Sequence, residues 1–474
     1  MSDLDAKTAE ELPPLPHRSR LQRLYASPVV QVFLISAICF CTPGIFNANS
    51  GVGGGGQVNP KTANDANVAL YACFAVVGFA SGSIINRIGA RVAFSIGASG
   101  YALYMGSLLS YNINGNRGFV VAAGALLGVC AGLLWTAQGS LMLAYGTEQT
   151  KGRLIALFWI VFNLGGALGS AIEVGLTWKS TSNTVGNSVY IVFLVIAACG
   201  SFLPLLLVDP ATMVRSDGTR VIPPVHPTWK KEVVGMWQLM RKEVILIFLL
   251  PLFFSSNFGY TWQQNSFNGA LFTLRTRSLN SFLFWSCQMV GAGIFGILID
   301  LKRFRRKSRA RVALVVLLAF HCAVWGSGYY YQKDYYRTPD GASIPRIDLH
   351  DSGYGGRAAL YVFMGILDAI TQNYAYWLMG AIFNQPASLA RLVGVYKAIQ
   401  SAGAAGAFAM DSAETAYMSE LAATWAVCVA GLVFCVPVLL FRLKDHTDDE
   451  LVIEVGSHDA ASSTSEKKVD EEEL

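Results

Sequence analysis

The chain has 474 residues, of which 53% are hydrophobic and 14% are charged, and its mean hydropathy is +0.42. A soluble chain carries about a quarter charged residues, so this composition excludes an ordinary soluble protein and predicts a polytopic membrane protein. The net charge of +5 is modest, and the basic clusters recur at alternate loops, as membrane topology requires and nucleic-acid binding does not.

About twelve apolar segments of roughly 20 residues follow one another, the length that a helix needs to cross the hydrocarbon core. Their approximate centres are Ala37, Val77, Met105, Leu127, Leu164, Ile196, Phe253, Val290, Ala319, Asp368, Ser401 and Val429. The sequence therefore predicts an all-α integral membrane protein. Its expected parts are a cytoplasmic tail (1–27), an N-terminal six-helix half (28–208), a cytoplasmic linker (209–242), a C-terminal six-helix half (243–441) and an acidic cytoplasmic tail (442–474).

Lys and Arg residues are concentrated in the two tails and in the loops that follow even-numbered segments. Because cytoplasmic loops of membrane proteins carry an excess of Lys and Arg, both termini are expected in the cytoplasm. The membrane itself is expected to be the plasma membrane or a vacuolar or endosomal membrane.

The loop after the second segment has a distinctive glycine and basic pattern, made of Gly82, Asn86, Arg87, Gly89 and Arg91. Glycine lets two helices approach closely, and the cations mark the cytoplasmic side, so this loop is predicted to be a short turn at the membrane face. A second copy of the pattern contains Gly296, Asp300, Lys302 and Arg303.

A second repeat links the two halves of the chain. Residues 153–158, followed by Asn163 and Gly165, are echoed by residues 391–396, followed by Ser401 and Gly403. Two repeated patterns in the same order indicate two related six-helix halves.

The first loop resembles the pattern G-x-x-x-D-[RK]-x-G-[RK]-[RK] of the major facilitator superfamily. Gly82, Arg87, Gly89 and Arg91 match it, whereas Asn86 replaces the acid. The resemblance implies twelve helices in two pseudo-symmetric halves that rock about a midplane cavity. It also implies that both loops act as gating loops that latch one conformational state, although a neutral Asn86 would hold Arg87 less tightly.

Two further stretches are similar to the fungal-type members of the Unc-ninety-three-like branch of this superfamily. The first runs from Phe46 through Asn47 into a glycine tract, and the second contains Trp135 and Gln138. The tract is interpreted either as a flexible loop or as part of the outer mouth of a cavity that Asn47 and Asn49 line. The resemblance leaves activity open, since some animal relatives are described as regulators or trafficking partners of other membrane proteins.

The seventh segment is unusually polar and aromatic between Ser255 and Asn265. So many polar groups cannot all face lipid. They are interpreted either as an interfacial belt or as a cavity wall with a glycine hinge at Gly259. In the fifth segment, Asn163 lies about 10 residues from the inner end, which places it about 15 Å deep, near the midplane, at 1.5 Å per residue.

Ionisable residues inside apolar segments give the strongest functional signal. Asp368 and Lys397 lie on consecutive helices, and intramembrane charges are costly and face the protein interior. A charge pair between them is predicted, either structural or functional. Gln372 shares the helix face of Asp368 through its i, i+4 spacing. His321 is expected to be a packed polar residue, and Glu173 is placed near the outer end of its helix, where it has no expected role.

The favoured hypothesis is a transporter that moves a small solute by alternating access, with Asp368 as a candidate proton site tuned by Lys397. The expected cavity residues are Asn47, Trp135, Gln138, Asn163, Asn257, Tyr260, Asp368 and Gln372. The alternative is a non-transporting regulator or trafficking partner of another membrane protein. No catalytic, cofactor or metal-ligand pattern is present in the sequence, so an enzyme is not expected. The expected partners are the lipid bilayer and an unknown solute.

Overall fold

The computed structural model describes residues 18–445 except 58, 147–149, 181, 216–217, 222–229, 231–233, 236, 239–240, 242, 300, 302, 340 and 383–385. Several predictions of the sequence lie outside the described residues. They concern Asp300, Lys302, the side chain of Asn86, most of both tails and half of the linker.

Helices make up both halves of the molecule. The N-terminal half contains α1 (Pro28–Gly51), α2 (Pro60–Ile88), α3 (Ala90–Asn114), α4 (Arg117–Tyr145), α5 (Lys151–Thr177) and α6 (Asn187–Phe202), and the short helix Arg20–Tyr25 precedes α1. The C-terminal half contains α7 (244–269), α8 (Leu274–Ile299), α9 (Arg306–Gln332), α10 (Tyr354–Ile382), α11 (Pro386–Ser412) and α12 (Tyr417–Phe434). A two-stranded hairpin, β1 (Arg337–Thr338) and β2 (Gly341–Ala342), lies between α9 and α10.

Nine helices of the described chain are long and apolar enough to cross a membrane. The remaining three predicted segments correspond to α7, which is broken, and to α10 and α11. These two helices are as long as the others, but they contain the charged residues Asp368 and Lys397. The structure is therefore consistent with the predicted twelve segments, and apart from the short hairpin its regular structure is helical.

Each half has its own apolar core. One buried cluster runs from Val32 to Val221 with Leu274, and the other runs from Leu246 to Leu443 with Ala167. Between the halves, α2 packs on α11 and α5 packs on α8. The two halves thus meet along two helix pairs and leave a central space between them.

Glycines fix equivalent helix contacts in the two halves. A Cβ on Gly165 of α5 would lie 2.5 Å from the carbonyl oxygen of Phe40 in α1, and a Cβ on Gly403 of α11 would lie 2.0 Å from that of Phe254 in α7. Phe40 and Phe254 are separated by the same number of residues as Gly82 and Gly296. Gly165 and Gly403 occupy equivalent places in the two sequence repeats, so the repeat in the sequence corresponds to a repeat in the fold.

The loop between α2 and α3 is a single-residue turn at Gly89, with φ 79° and ψ 156°. A side chain at this φ would be strained, and for this reason the second glycine of the loop pattern is needed. Arg91, at the start of α3, donates a hydrogen bond to the carbonyl of Leu207 beyond α6. This contact ties the turn to its own half.

The two faces of the molecule are defined by the chain ends. We call the terminal face the one where Arg18 contacts Thr212 and Asp445 contacts Lys307. The opposite end is the distal face, which carries the β-hairpin. There Arg275 forms a bidentate contact with Asp348, and this guanidinium holds the pKa of the Asp348 carboxyl well below its usual value.

Candidate functional site

A cavity of about 940 Å³, part of it open to solvent, lies between the two halves. Nearly half of its lining residues are aromatic, and the polar ones are mainly amides. Six predicted cavity residues line it, namely Asn47, Trp135, Asn163, Asn257, Tyr260 and Gln372. Gln138 and Asp368 do not belong to the lining.

A break in α1 turns its polar residues toward the cavity. The segment Phe40–Gly44 is a π-helical turn that contains Pro43, and such turns are frequent at functional sites. Gly44 approaches Gly165 of α5 so closely that a Cβ on Gly44 would lie 3.0 Å from the Gly165 Cα. The residues after this turn, including Phe46 and Asn47, line the cavity.

A corresponding break occurs in α7. This element begins as a 3-10 helix (Val244–Leu249), continues as an α-helix (Leu250–Ser255) and, after a turn, ends as a π-helix (Trp262–Gly269). Asn257 and Tyr260, from the turn and the residues that follow it, line the cavity. This geometry favours the cavity-wall interpretation of the polar stretch over an interfacial belt.

Lys397 of α11 reaches the cavity inside a cage of aromatic rings. Its Nζ lies 5.4 Å from the ring centroid of Trp135, 5.6 Å from that of Tyr376 and 5.3 Å from that of Tyr396. The Nζ also donates a hydrogen bond of 2.9 Å to Oε1 of Gln400. The rings partly replace the water that the ammonium loses, because a cation over an aromatic face is stabilised.

Amide side chains connect this lysine to α7. The Nε2 of Gln400 donates to Oδ1 of Asn257 at 3.1 Å and to Oγ of Ser256 at 2.9 Å. From α10, Nε2 of Gln372 donates to the hydroxyl of Tyr260 at 3.0 Å. Gln400 was not among the cavity residues predicted from the sequence, although its position one helical turn after a buried lysine offered a signal.

Asp368 and Lys397 do not form the predicted ion pair in this structure. Asp368 Oδ1 accepts a hydrogen bond of 3.2 Å from Nε2 of Gln263 in α7, and its buried Oδ2 has no hydrogen-bond partner among the described residues. Lys397 instead extends toward Trp135 in the N-terminal half. The two charges lie on consecutive helices, but their side chains leave those helices in different directions.

Two other ionisable residues have contrasting environments. His321 is buried, and its ring nitrogens bond Thr371 and Trp325 at 3.0 Å each, so the expected packed polar role is confirmed. Glu173 is fully buried in α5, and neither carboxyl oxygen has a hydrogen-bond partner among the described residues. The expectation that Glu173 needs no explanation was wrong, because its helix face packs against α8 rather than ending in water.

A polar network closes the cavity at the distal face. Asp411 of α11 accepts hydrogen bonds of 2.7 Å from both Asn64 of α2 and Asn265 of α7. Arg337 of β1 donates to Asp411 at 2.5 Å and to Glu420 of α12 at 2.8 Å. Since Asn64 belongs to the N-terminal half, this network joins the two halves.

The glycine tract after α1 takes part in the same closure. Asn265 accepts from the Gly54 amide at 2.7 Å, and Arg277 of α8 donates to the Val52 carbonyl at 2.7 Å. A Cβ on Gly53 would lie 2.3 Å from the Gln264 carbonyl oxygen. The tract is thus packed tightly between the halves, and its interpretation as a flexible loop was wrong.

Known proteins share both this sequence and this fold. Residues 30–336 match the sequence profile of the Major Facilitator Superfamily. The chain is 44% identical over 425 residues to an UNC93-like protein of Schizosaccharomyces pombe, with 90% of this chain and 84% of that protein covered. It is 37% identical over 429 residues to UNC93-like protein 1 of Arabidopsis thaliana, with 90% and 93% covered.

Solved structures share the architecture at low sequence identity. The xylose transporter XylE of E. coli, in a partially occluded inward open conformation, matches with a TM-score of 0.61 and 13% identity, covering 90% of this chain and 99% of that one. The E. coli fucose:proton symporter FucP matches with a TM-score of 0.54 and 13% identity, covering 86% and 99%. The fold and the sequence relatives together assign the chain to the major facilitator superfamily and, within it, to the UNC93-like proteins.

Proposed function

We propose that this protein is a membrane transporter that moves a small solute by alternating access. The observation that carries the proposal is a central cavity, lined by both halves, that is closed at the distal face by contacts between those halves. Alternating access requires these contacts to break while the helices within each half stay packed. Asn64 and Arg277 join the halves at the distal face through hydrogen bonds. Water can replace these hydrogen bonds when the halves separate.

Within this proposal, the solute lies against the predicted lining residues Asn47, Trp135, Asn163, Asn257, Tyr260 and Gln372. Asp368 is the proposed proton site, because it lies just behind α7 and has one unsatisfied carboxyl oxygen. Proton coupling would then act through Gln263 on the broken helix that lines the cavity.

The terminal face is proposed to be cytoplasmic, on the basis of its excess of Lys and Arg. The loops at Arg87 and Arg303 are proposed to latch the terminal face in one state. Asn86→Asp would strengthen such a latch, so it should change the rate of distal opening measured below. An unchanged rate would make the loop at Gly89 a structural turn only.

The decisive experiment measures opening of the distal face. In a cysteine-free background, Ser401→Cys places a thiol on the cavity wall, and a membrane-impermeant maleimide is applied from the distal side. A transporter should be labelled slowly, because the distal face opens transiently. A disulfide between Asp65→Cys and Ser412→Cys, whose native side chains are hydrogen-bonded across the halves, should stop this labelling, and a reductant should restore it.

Two control variants in the same assay show which face of the protein the reagent can reach. Tyr336→Cys in the exposed distal hairpin region should be labelled at once, and Arg303→Cys at the terminal face should not be labelled. If Ser401→Cys is never labelled while Tyr336→Cys reacts, the protein does not cycle. That outcome would favour the alternative function, a regulator or trafficking partner of another membrane protein.

A further inference from the structure

The lining of the cavity has an unbalanced charge. Lys397 is the charged residue among the described residues that line it, and the other polar groups there are amides and hydroxyls. No carboxylate of the described chain lies within 4 Å of its Nζ. Asp368, the partner predicted from the sequence, bonds Gln263 instead.

A cation without a counter-ion in such a place is energetically unfavourable unless something compensates for its lost hydration. The three rings around Lys397 offer part of this compensation, and Gln400 accepts one of the three ammonium hydrogens. The remaining two donors have no acceptor among the described residues, and the side chain lines the cavity. An anion in the cavity would supply the missing acceptor and the missing charge.

The other lining residues indicate the chemical character of the uncharged part of the ligand. Aromatic residues from both halves, including Tyr71, Trp159, Phe162 and Trp285, cover the walls. Such walls contribute apolar contact rather than hydrogen bonds, so they suit a ligand body with few polar groups. A single ammonium balances a single negative charge.

We propose that the solute is an organic monocarboxylate whose carboxylate binds Lys397 and whose apolar body lies against the aromatic walls. This inference rests on the proposed function in one respect, namely that the cavity is a solute site. It adds the charge and the chemical class of that solute. Lys397 is thereby assigned a role in binding that does not depend on an ion pair with Asp368.

The test measures binding to the purified full-length protein by thermal unfolding, followed through tryptophan fluorescence. The probes are phenylacetate, 2-phenylethanol and 2-phenylethylamine, which share a phenyl body and differ in charge. Phenylacetate should raise the unfolding midpoint the most, and the amine the least. Equal shifts from all three probes, a larger shift from the amine, or no shift from the acid would overturn the proposal.

Variants at one position separate charge from packing. Lys397→Met should weaken phenylacetate binding at least about tenfold, because it removes a charge-assisted hydrogen bond, and should weaken binding of the neutral 2-phenylethanol by a smaller factor. Lys397→Arg should keep the preference for the acid. Lys333→Met is the matched control, since Lys333 also lies over an aromatic ring, that of Tyr330, but outside the cavity.

A preference for the acid that survives in Lys397→Met would also refute the proposal. If Lys397→Met fails to fold, the probe series on the unmodified protein and on Lys397→Arg still decides the question. Binding in this assay does not require the halves to move, and the Ser401→Cys assay does not require a ligand. Failure of this inference is therefore distinguishable from failure of the proposed transport function.

Discussion

Only one oxygen of the Asp368 carboxyl group has a hydrogen-bond partner among the described residues. Its Oδ1 accepts from Gln263, and its buried Oδ2 has no hydrogen-bond partner among the described residues. A buried carboxylate without a full set of partners is costly, whereas a protonated carboxyl at this place costs less. Buried intramembrane carboxyl groups of this kind are the groups that bind the proton in proton-coupled transporters.

We expect Asp368→Asn to fold normally, because the amide oxygen can still accept from Gln263. The variant should lose the pH dependence of distal opening, which the labelling rate of Ser401→Cys reports after correction for the ionisation of the thiol. Asp334→Asn is the matched control, since Asp334 is an exposed carboxylate beside the distal hairpin. A pH profile that is identical in Asp368→Asn and in the unmodified protein would remove this residue from the coupling mechanism.

At this scale, the depth of a residue could be predicted from the sequence, but its partner could not. Counting residues from a helix end places Asp368 and Lys397 inside the membrane. The direction of each side chain depends on how its helix is rotated against its neighbours, and only tertiary packing determines that rotation. For the same reason, the position of Glu173 near the outer end of α5 could be predicted, but its complete burial could not.

At the scale of single helices, two kinds of feature shape the cavity. Breaks in α1 and α7 aim polar side chains inward, and glycines allow each broken helix to contact a neighbour closely. The close contact of α5 could be predicted, because Gly165 and Gly169 have the spacing of a known packing pattern of small residues. The π-helical turns could not, because they depend on contacts made by the folded chain.

Gly403→Ala should destabilise the protein, because a Cβ there would lie 2.0 Å from the Phe254 carbonyl oxygen. The helices α7 and α11 would have to separate, and overpacking of this kind costs about 1–3 kcal/mol. The measurement is the thermal unfolding midpoint of the purified protein. Gly394→Ala lies on the same helix with no atom within 4 Å of its new Cβ, so it should leave the midpoint unchanged or raise it slightly. Equal effects of the two changes would mean that α7 and α11 are not closely packed in the membrane.

At the scale of the whole molecule, two separately packed halves are joined by helix pairs and by polar bonds at the distal face. The two-half organisation could be predicted, since both repeats occur in the sequence in the same order. The way the two halves meet could not be predicted, because it depends on contacts between residues that lie far apart in the chain. Asn64 and Asn265 belong to different halves, and nothing in their spacing indicates that they meet.

The distal network should set how often the molecule opens on that side. Asn64 contributes two bonds to it, a donated bond of 2.7 Å to Asp411 and an accepted bond of 2.8 Å from Asn265. A bond to a charged group is worth about 1.5–3 kcal/mol. Asn64→Ala should therefore shift the equilibrium toward the distal-open state and raise the labelling rate of Ser401→Cys about tenfold or more.

The matched control for this change is Asn112→Ala. Asn112 also donates hydrogen bonds, to Asn187 at 2.6 Å and to Val185 at 3.4 Å, but all three residues belong to the N-terminal half. Its loss should lower stability without favouring either state, because these bonds do not join the two halves. If Asn64→Ala and Asn112→Ala gave the same labelling rate, the distal bonds would not control opening, and closure would depend on the apolar contacts between α2 and α11 instead.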